Sequence, residues 1–596
     1  MKLLTFIAQE KEQWGVLIKN EDSGQEYALV PQMFDNLMPK ICSSTSSHSY
    51  RGARTFKEGK WPKTIKGLLE LEKGIDILHD LYSFAVYLLF HEDTSIIKYC
   101  AYKLDEIELK APIPRPKFYW GLVQNSTSFT RNDPKRTHAN IYPQGHQRPM
   151  TCVVGNSEYI GIEKKADAFG FNVEFGVVIG KKGKYIKAAD AMEYVAGYTN
   201  IIDIQANNII QDYGDRYGED FFVDATASWA AKMKDTSCPM GPYLVTKDEV
   251  KNPYALNAYT RECGMLRDHA FSSNTLLGIE RVIEYCSAFK TLYPGDVLHL
   301  GTIGVDGKWK SVDWNNPEED LVLEGEFDLL DCCRVPVKFI RDIWGTDKDI
   351  DDCDEPASPV VRDLIKQNKD CISVFDVNES RGFWTLFANY KQCEEIENMK
   401  PNTEVSRFLN NPSTSLTVKK DTSISALATD IEVCAEMCFV VRKIARRVPL
   451  EKASEYILGY SPMVSLNDQS FAQSIIEPAT KQERNLPKVY ARWGDGYNFM
   501  LEKPIDTAEE PKGEMHLCIK DIGSAKVMAA DYLLNGEAVL SYISKYITLL
   551  PGDVVSLGRM AESITVKRDE TEKGFSGSLK AEGFPPLEFS VGKESL

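Results

Sequence analysis

The chain has 596 residues, of which 43% are hydrophobic and 26% charged, and its formal net charge is −17 at pH 7. That length exceeds what one hydrophobic core serves and divides into domains of about 100–200 residues each. The acidic balance argues against a nucleic-acid partner, whose phosphates call for Lys and Arg, and no run of about 18 apolar residues offers a membrane span.

Taken in chain order, the opening "MKLLTFIAQEKEQW" has too short an apolar stretch for a secretory signal, and the expectation is a cytoplasmic protein. The 14 cysteines lack CxxC pairs or zinc spacing, which suits a reducing compartment where Cys serves as a small buried hydrophobe. Residues 1–112 read as an N-terminal lead domain around one helix-like apolar run, "GIDILHDLYSFAVYLLFH" at 74–91. A loop-like stretch, "NDPKRTHANIYPQGHQRP" at 132–149, brings His138 and His146.

From there the chain repeats itself. "VEFGVVIG" (173–180) returns as "AEMCFVV" from 435, and "AMEYVAGYTN" (191–200) as "ASEYILGYSP" (453–462), both offset by 262 residues. "VIEYCSAFKTLYPGDV" (282–297) returns as "VLSYISKYITLLPGDV" (539–554), offset by 257. Three pairs in one order mean a duplicated unit of about 220 residues. Each unit is mostly β, built of short β-branched and aromatic runs broken by Gly and Pro. "NTLLGIERVIEYCSAF" (274–289) has helical spacing. The Pro-Gly-Asp in both copies is a turn in which Pro presets φ and Gly takes φ > 0. The expected architecture is α+β, with units at 113–335 and 370–596 joined by an acidic linker at 336–369 around "DKDIDDCDEPASP" (347–359).

Chemistry concentrates in the first unit. Asn172 and Glu174 lie two apart on a strand and share a face, and Asp203 sits on the next strand-like run, "NIIDIQ". Two carboxylates and an amide oxygen suit a hard divalent cation, Mg²⁺, Mn²⁺ or Ca²⁺, although from spacing alone a strand-edge Glu and a turn Asp explain them as well.

The order "VEFGVVIG…AMEYVAGYTNIIDIQ…AAKMKDTSCPMGPYLVT…TLYPGDVLHLGTIGV" resembles the fumarylacetoacetate hydrolase superfamily, closely over about 116–335 and more distantly over 370–596. The resemblance implies two tandem mixed-sheet, β-roll domains packed as a pseudo-twofold dimer, leaving room for a further homodimer. It implies that Asn172, Glu174 and Asp203 hold the cation, with Asn172 standing where the superfamily has a second Glu. Lys232 then steadies an enolate or carboxylate oxygen, and Thr302 binds substrate carboxylate or carbonyl. Asn207 stands where a substrate-binding Arg is usual, and "VQNST" (123–127) lacks the superfamily's helix histidine, so His138 or His146 would replace it from a lid.

The leading expectation is hydrolysis of a C–C bond in a β-diketo or acylpyruvate-type acid through a metal-stabilised enolate. Decarboxylation, tautomerisation or hydration of a 2-oxo acid, and binding of a metabolite without turnover, are the alternatives. The second unit has Cys434, Glu436, Ser465, Arg492 and Arg559 at the positions of Asn172, Glu174, Asp203, Lys232 and Thr302. It is expected to supply shape, or an anion pocket lined by Arg492 and Arg559.

Overall fold

The computed structural model describes residues 1–21, 23–42, 60–89, 94–123, 125–127, 143–164, 166–207, 228–304, 309–341, 358–387, 389–392, 407–469, 489–507 and 510–595. His138 and residues 347–357 of the acidic stretch lie outside them. The protein is mostly β, as its short apolar runs imply.

The N-terminal region contributes strands β1 (Lys2–Ala8), β2 (Lys11–Lys19), β3 (Glu26–Leu29) and β4 (Ala101–Lys103), with helix α1 (Gly74–Tyr87) packed against them. The first copy follows with β5 (Tyr119–Leu122), β6 (Gly145–Gln147), β7 (Ala168–Ile179), β8 (Val195–Ala206), β9 (Cys238–Thr246), helix α2 (Ile279–Phe289) and β10 (Val297–Thr302). These strands form one large sheet in the order β4-β3-β2-β1-β9-β8-β7-β10-β5-β6. The join is antiparallel pairing of β1 with β9, Lys2 opposite Val245. Helix α2 starts later than the helical spacing suggests, because residues 272–274 form a 3₁₀ turn and Gly278 is the N-cap.

A short helix, α3 (Pro359–Lys366), precedes the second copy. That copy contains β11 (Phe383–Phe387), β12 (Arg407–Asn411), β13 (Ile431–Val441), β14 (Ile457–Asp468), β15 (Asn498–Met500), helix α4 (Gly536–Ser544) and β16 (Val554–Val566). Its sheet order, β12-β11-β16-β13-β14-β15, repeats β6-β5-β10-β7-β8-β9 element for element. Each copy adds a smaller sheet of five strands, and those two sheets also share one order. The Pro-Gly-Asp turns match, with Gly295 and Gly552 both at φ 84°.

The central strands are covered on both faces, which is why β7 reads as an almost continuous apolar run. Val173, Phe175, Val177 and Ile179 enter a large core that continues into the second copy. On the opposite face Val178, Ile201 and Val297 join a core shared with Leu3, Trp14 and Leu81 of the N-terminal region.

The copies meet with reciprocal contacts. Asp235 in the first accepts a hydrogen bond from Thr548 N at 3.3 Å, and Asp495 at the equivalent position of the second accepts one from Thr291 N at 2.8 Å. Such an exchange, residue i to j and j to i, is what a twofold interface produces. The charges differ in detail: Lys184 reaches Glu594 at 2.7 Å, whereas Arg446 on the equivalent stretch reaches Glu163 at 2.7 Å.

Candidate active site

One face of adjacent strands gathers the polar groups, at the point where the apolar face of β7 ends. On β7, Glu174 pairs in register with Thr302 of β10, while Asn172 stands opposite Asp203 of β8. A bulge between Glu174 and Gly176 brings His299 of β10 beside them. His146 on β6 faces Gly121 on β5, which in turn faces His299. Gly121 is required there, since a Cβ would run into the His299 ring. Gly301, at φ 80°, turns the end of β10 toward the site.

A chain of hydrogen bonds links these groups. Thr302 Oγ1 donates to Glu174 Oε1 at 3.1 Å, and the other Glu174 oxygen is bonded to His299 Nδ1. Arg148 donates from Nε to His299 Nε2 at 3.1 Å and from Nη1 to the Lys232 carbonyl at 2.7 Å; its Nη2 is paired with Asp203 Oδ1. Lys232 Nζ is paired with Asp203 Oδ2. Because His299 Nε2 accepts from Arg148, the imidazole carries its proton on Nδ1 and donates it to Glu174.

The electrostatics follow from burial and these neighbours. Burial works against the charge on Asp203, but the Arg148 guanidinium and Lys232 ammonium outweigh it and hold the carboxyl well below its usual range. His146 is 1% exposed, stacked on Trp229 at 5.8 Å, and neither of its ring nitrogens has a hydrogen-bond partner among the described residues. Burial, then Arg148 and Lys232, push its pKa well below 6.5, so it is a neutral imidazole.

The residues expected from the sequence divide as follows. Asn172, Glu174, Asp203, Lys232 and Thr302 come together, and His146 joins them from a buried strand, where a solvated lid loop was expected. Asn207 does not join: its Oδ1 accepts the Ala168 N–H at 3.1 Å. Arg148 and His299, which connect the two carboxylates, were missed; the clue was a histidine inside the repeated strand where the second copy has Ser556.

The donor chemistry suits a hard divalent cation. Asn172, Glu174 and Asp203 offer oxygens from one face, Asp203 is held ionised, and an ion-paired carboxylate oxygen keeps a second lone pair. Among the described residues no group of three or more His, Cys, Asp or Glu could hold a metal ion, and the four oxygens of Glu174 and Asp203 are already bonded to Thr302, His299, Arg148 and Lys232.

Of these positions the second copy keeps only the glutamate. Glu436 is fully buried and bonded to Ser465 at 2.5 Å, to Arg492 at 3.0 Å and to Ser556. Arg559 forms a two-pronged pair with Glu432, at 2.7 and 3.1 Å. Leu409 and Asn411 stand where His146 and Arg148 are. Both arginines thus have carboxylate partners within the copy, which removes the basis for an anion pocket built from them.

The profile of the fumarylacetoacetate (FAA) hydrolase C-terminal family matches residues 119–331 and again 382–588. The chain belongs to that family, in two tandem copies. Among curated relatives, the oxaloacetate tautomerase FAHD2B, mitochondrial, of Bos taurus is 34% identical over 199 residues, 33% of this chain and 59% of that protein. Oxaloacetate tautomerase Fahd2a of Rattus norvegicus is 33% identical over 197 residues, with the same coverage. The matched stretch thus spans well under two thirds of those relatives. Among solved structures, maleylpyruvate hydrolase from Sphingobium sp. SYK-6, in complex with manganese and pyruvate, aligns over 57% of this chain and 99% of its own, with 18% identity and a TM-score of 0.38. Among the described residues no helix is long and apolar enough to cross a membrane.

Proposed function

We propose that the first copy catalyses proton transfer at the carbon beside the carbonyl of a 2-oxo acid, interconverting keto and enol forms of a substrate such as oxaloacetate. The observation that carries this reading is His146, a neutral, buried imidazole whose nitrogens have no partner among the described residues, next to two fixed cations. Such a ring is neutral and so available to take a proton from carbon, and the burial and cations that disfavour its charged form drive the proton on to oxygen.

Lys232 and Arg148 are placed to balance the negative charge that develops on the enolate oxygen, and being held by Asp203 they need no reorganisation as it forms. Thr302, at the open end of β10, orients a substrate carboxylate. Asn172, Glu174 and Asp203 would hold a divalent cation, Mg²⁺ or Mn²⁺ with Ca²⁺ as the weaker choice, which when bound polarises the substrate carbonyl. Cleaving a C–C bond in a β-diketo acid would need, in addition, a base that activates water. The superfamily's helix histidine is replaced at 123–127, whereas proton transfer asks only for the groups gathered around His146, which favours it. The names of the mammalian relatives support the same choice.

The test follows the enol absorbance of oxaloacetate with Mg²⁺ or Mn²⁺ added. Wild type should speed its decay over buffer, and His146→Gln and Lys232→Met should each lower kcat by about 100-fold or more. A wild-type rate no greater than buffer with either ion would refute catalysis and leave binding without turnover.

A further inference from the structure

Strand β6, which carries His146 and leads into Arg148, is the edge of the first copy's sheet. Its inner neighbour is β5; among the described residues no strand pairs on the outer side with the backbone of Gly145, one residue before His146. The group that does is a side chain of the second copy. Tyr490 Oη accepts the Gly145 N–H at 2.8 Å and donates to the Gly145 carbonyl at 2.5 Å. One phenol thus satisfies both backbone groups of an edge residue. Gly145 cannot carry a side chain, because a Cβ would run into Trp120 and the Gly121 carbonyl.

The phenol is itself fixed. Tyr490 is 1% exposed, its ring stacks on Phe289 at 6.2 Å and 11°, and Trp493 meets it edge-on at 4.8 Å. The arrangement also runs one way. With Arg492 equivalent to Lys232, the first-copy counterpart of Tyr490 is Ala230, which has no hydroxyl to return the contact to β12. A contact needed only to join the copies would be expected in both directions, as Asp235 and Asp495 are.

We propose that the second copy holds the first copy's site in working geometry through Tyr490, a positioning residue for His146 and Arg148; the inference rests on the oxo-acid reading above. Without the hydroxyl, two buried backbone groups lose their partner and β6 shifts to find others. A displacement of about 1 Å in a catalytic group costs up to about 100-fold in rate.

The experiment compares Tyr490→Phe with Tyr185→Phe in the full chain. Tyr185 makes another hydroxyl contact between the copies, to Ser425 at 3.2 Å and to Glu594, away from the site. Amide hydrogen exchange over 143–150 and the kcat and KM for oxaloacetate are measured for each. Tyr490→Phe should speed exchange over 143–150 and lower kcat between about 10- and 100-fold with KM within about threefold, while Tyr185→Phe changes neither. Wild-type exchange over 143–150 in Tyr490→Phe, an unchanged kcat, or an equal loss in Tyr185→Phe would overturn the proposal. Should wild type turn over no oxo acid, the oxo-acid reading falls, and the exchange comparison alone decides whether Tyr490 clamps β6.

Discussion

The strongest inter-copy charge cluster gives a prediction whose size can be worked out. Glu163 is buried, and three cations converge on it: Arg446 at 2.7 Å and Arg447 at 3.3 Å from the second copy, and Lys234 at 3.7 Å from the first. Burial alone would raise the Glu163 pKa, but Lys234, Arg446 and Arg447 outweigh it and bring it from 4.5 down to about 2. The folded state therefore binds its proton more weakly than the unfolded chain, so this carboxylate stabilises the fold fully above pH 4.5 and progressively less as pH falls toward 2. At 1.36 kcal/mol per pKa unit, the shift corresponds to about 3 kcal/mol at pH 7 and about 1 kcal/mol at pH 3. An independent route agrees. Removing one partner of a buried pair costs about 3–5 kcal/mol, and Glu163→Gln would leave Arg446, whose side chain is 0% exposed, with Asp235 at 4.0 Å.

The assay is urea unfolding of wild type and Glu163→Gln at both pH values. The deficit of the variant should be about 3 kcal/mol at pH 7 and shrink to about 1 kcal/mol at pH 3. An equal deficit at both would show that packing, not charge, is at stake. A deficit below about 0.5 kcal/mol at pH 7, the size of an exposed pair, would show that water reaches the cluster.

Three further outcomes follow from the site. Lys232→Met should carry its loss of about 100-fold or more in kcat with little loss of stability, whereas Arg492→Met should keep kcat yet lose about 3–5 kcal/mol of stability by stranding buried Glu436, as enzyme assay and unfolding will show. Because the His146 pKa is lowered, kcat should stay level as pH drops through 6.5, where an ordinary histidine titrates, and fall only well below it; a fall centred at 6.5 in the pH–rate profile would contradict the neutral-base role. In calorimetry, Glu174→Gln and Asp203→Asn should weaken Mn²⁺ binding and Asn172→Asp should strengthen it, since each changes the anionic charge offered to the ion.

Much of the site was legible in the sequence because it obeys the period of a strand. Asn172 and Glu174 share a face whatever surrounds them, and the repeat aligns Asp203 and Lys232 with residues that have visibly changed role. His299 was hidden for the opposite reason: it lies in "DVLHLGT" among the buried apolar side chains of Val297, Leu298 and Leu300, so it reads as part of a core strand. Arg148, and the strand that carries His146, were hidden by their setting, since Gly and Pro on both sides signal a loop, whereas three residues suffice for an edge strand once β5 and Tyr490 supply its hydrogen bonds. The place of β1 in the first copy's sheet depends on pairing across 243 residues, Lys2 with Val245, and no local pattern encodes that.

The replacement of Thr302 by Arg559 now has a physical account. In the first copy the end of β10 delivers a small hydroxyl to Glu174, and the Lys232 side chain is 14% exposed. In the second copy Glu436 is sealed beneath two serine hydroxyls and Arg492, so a ligand arriving there would have to break a fully buried pair. Arg559 turns instead to Glu432, two residues before the Asn172 equivalent, and closes the strand end with a two-pronged bond. A fold that must keep its twofold partner but not a second open site gains from this exchange: each charge left behind is matched within its own copy. The surfaces that meet the first copy, Asp495, Tyr490 and the Arg446 stretch, are free to specialise in holding it.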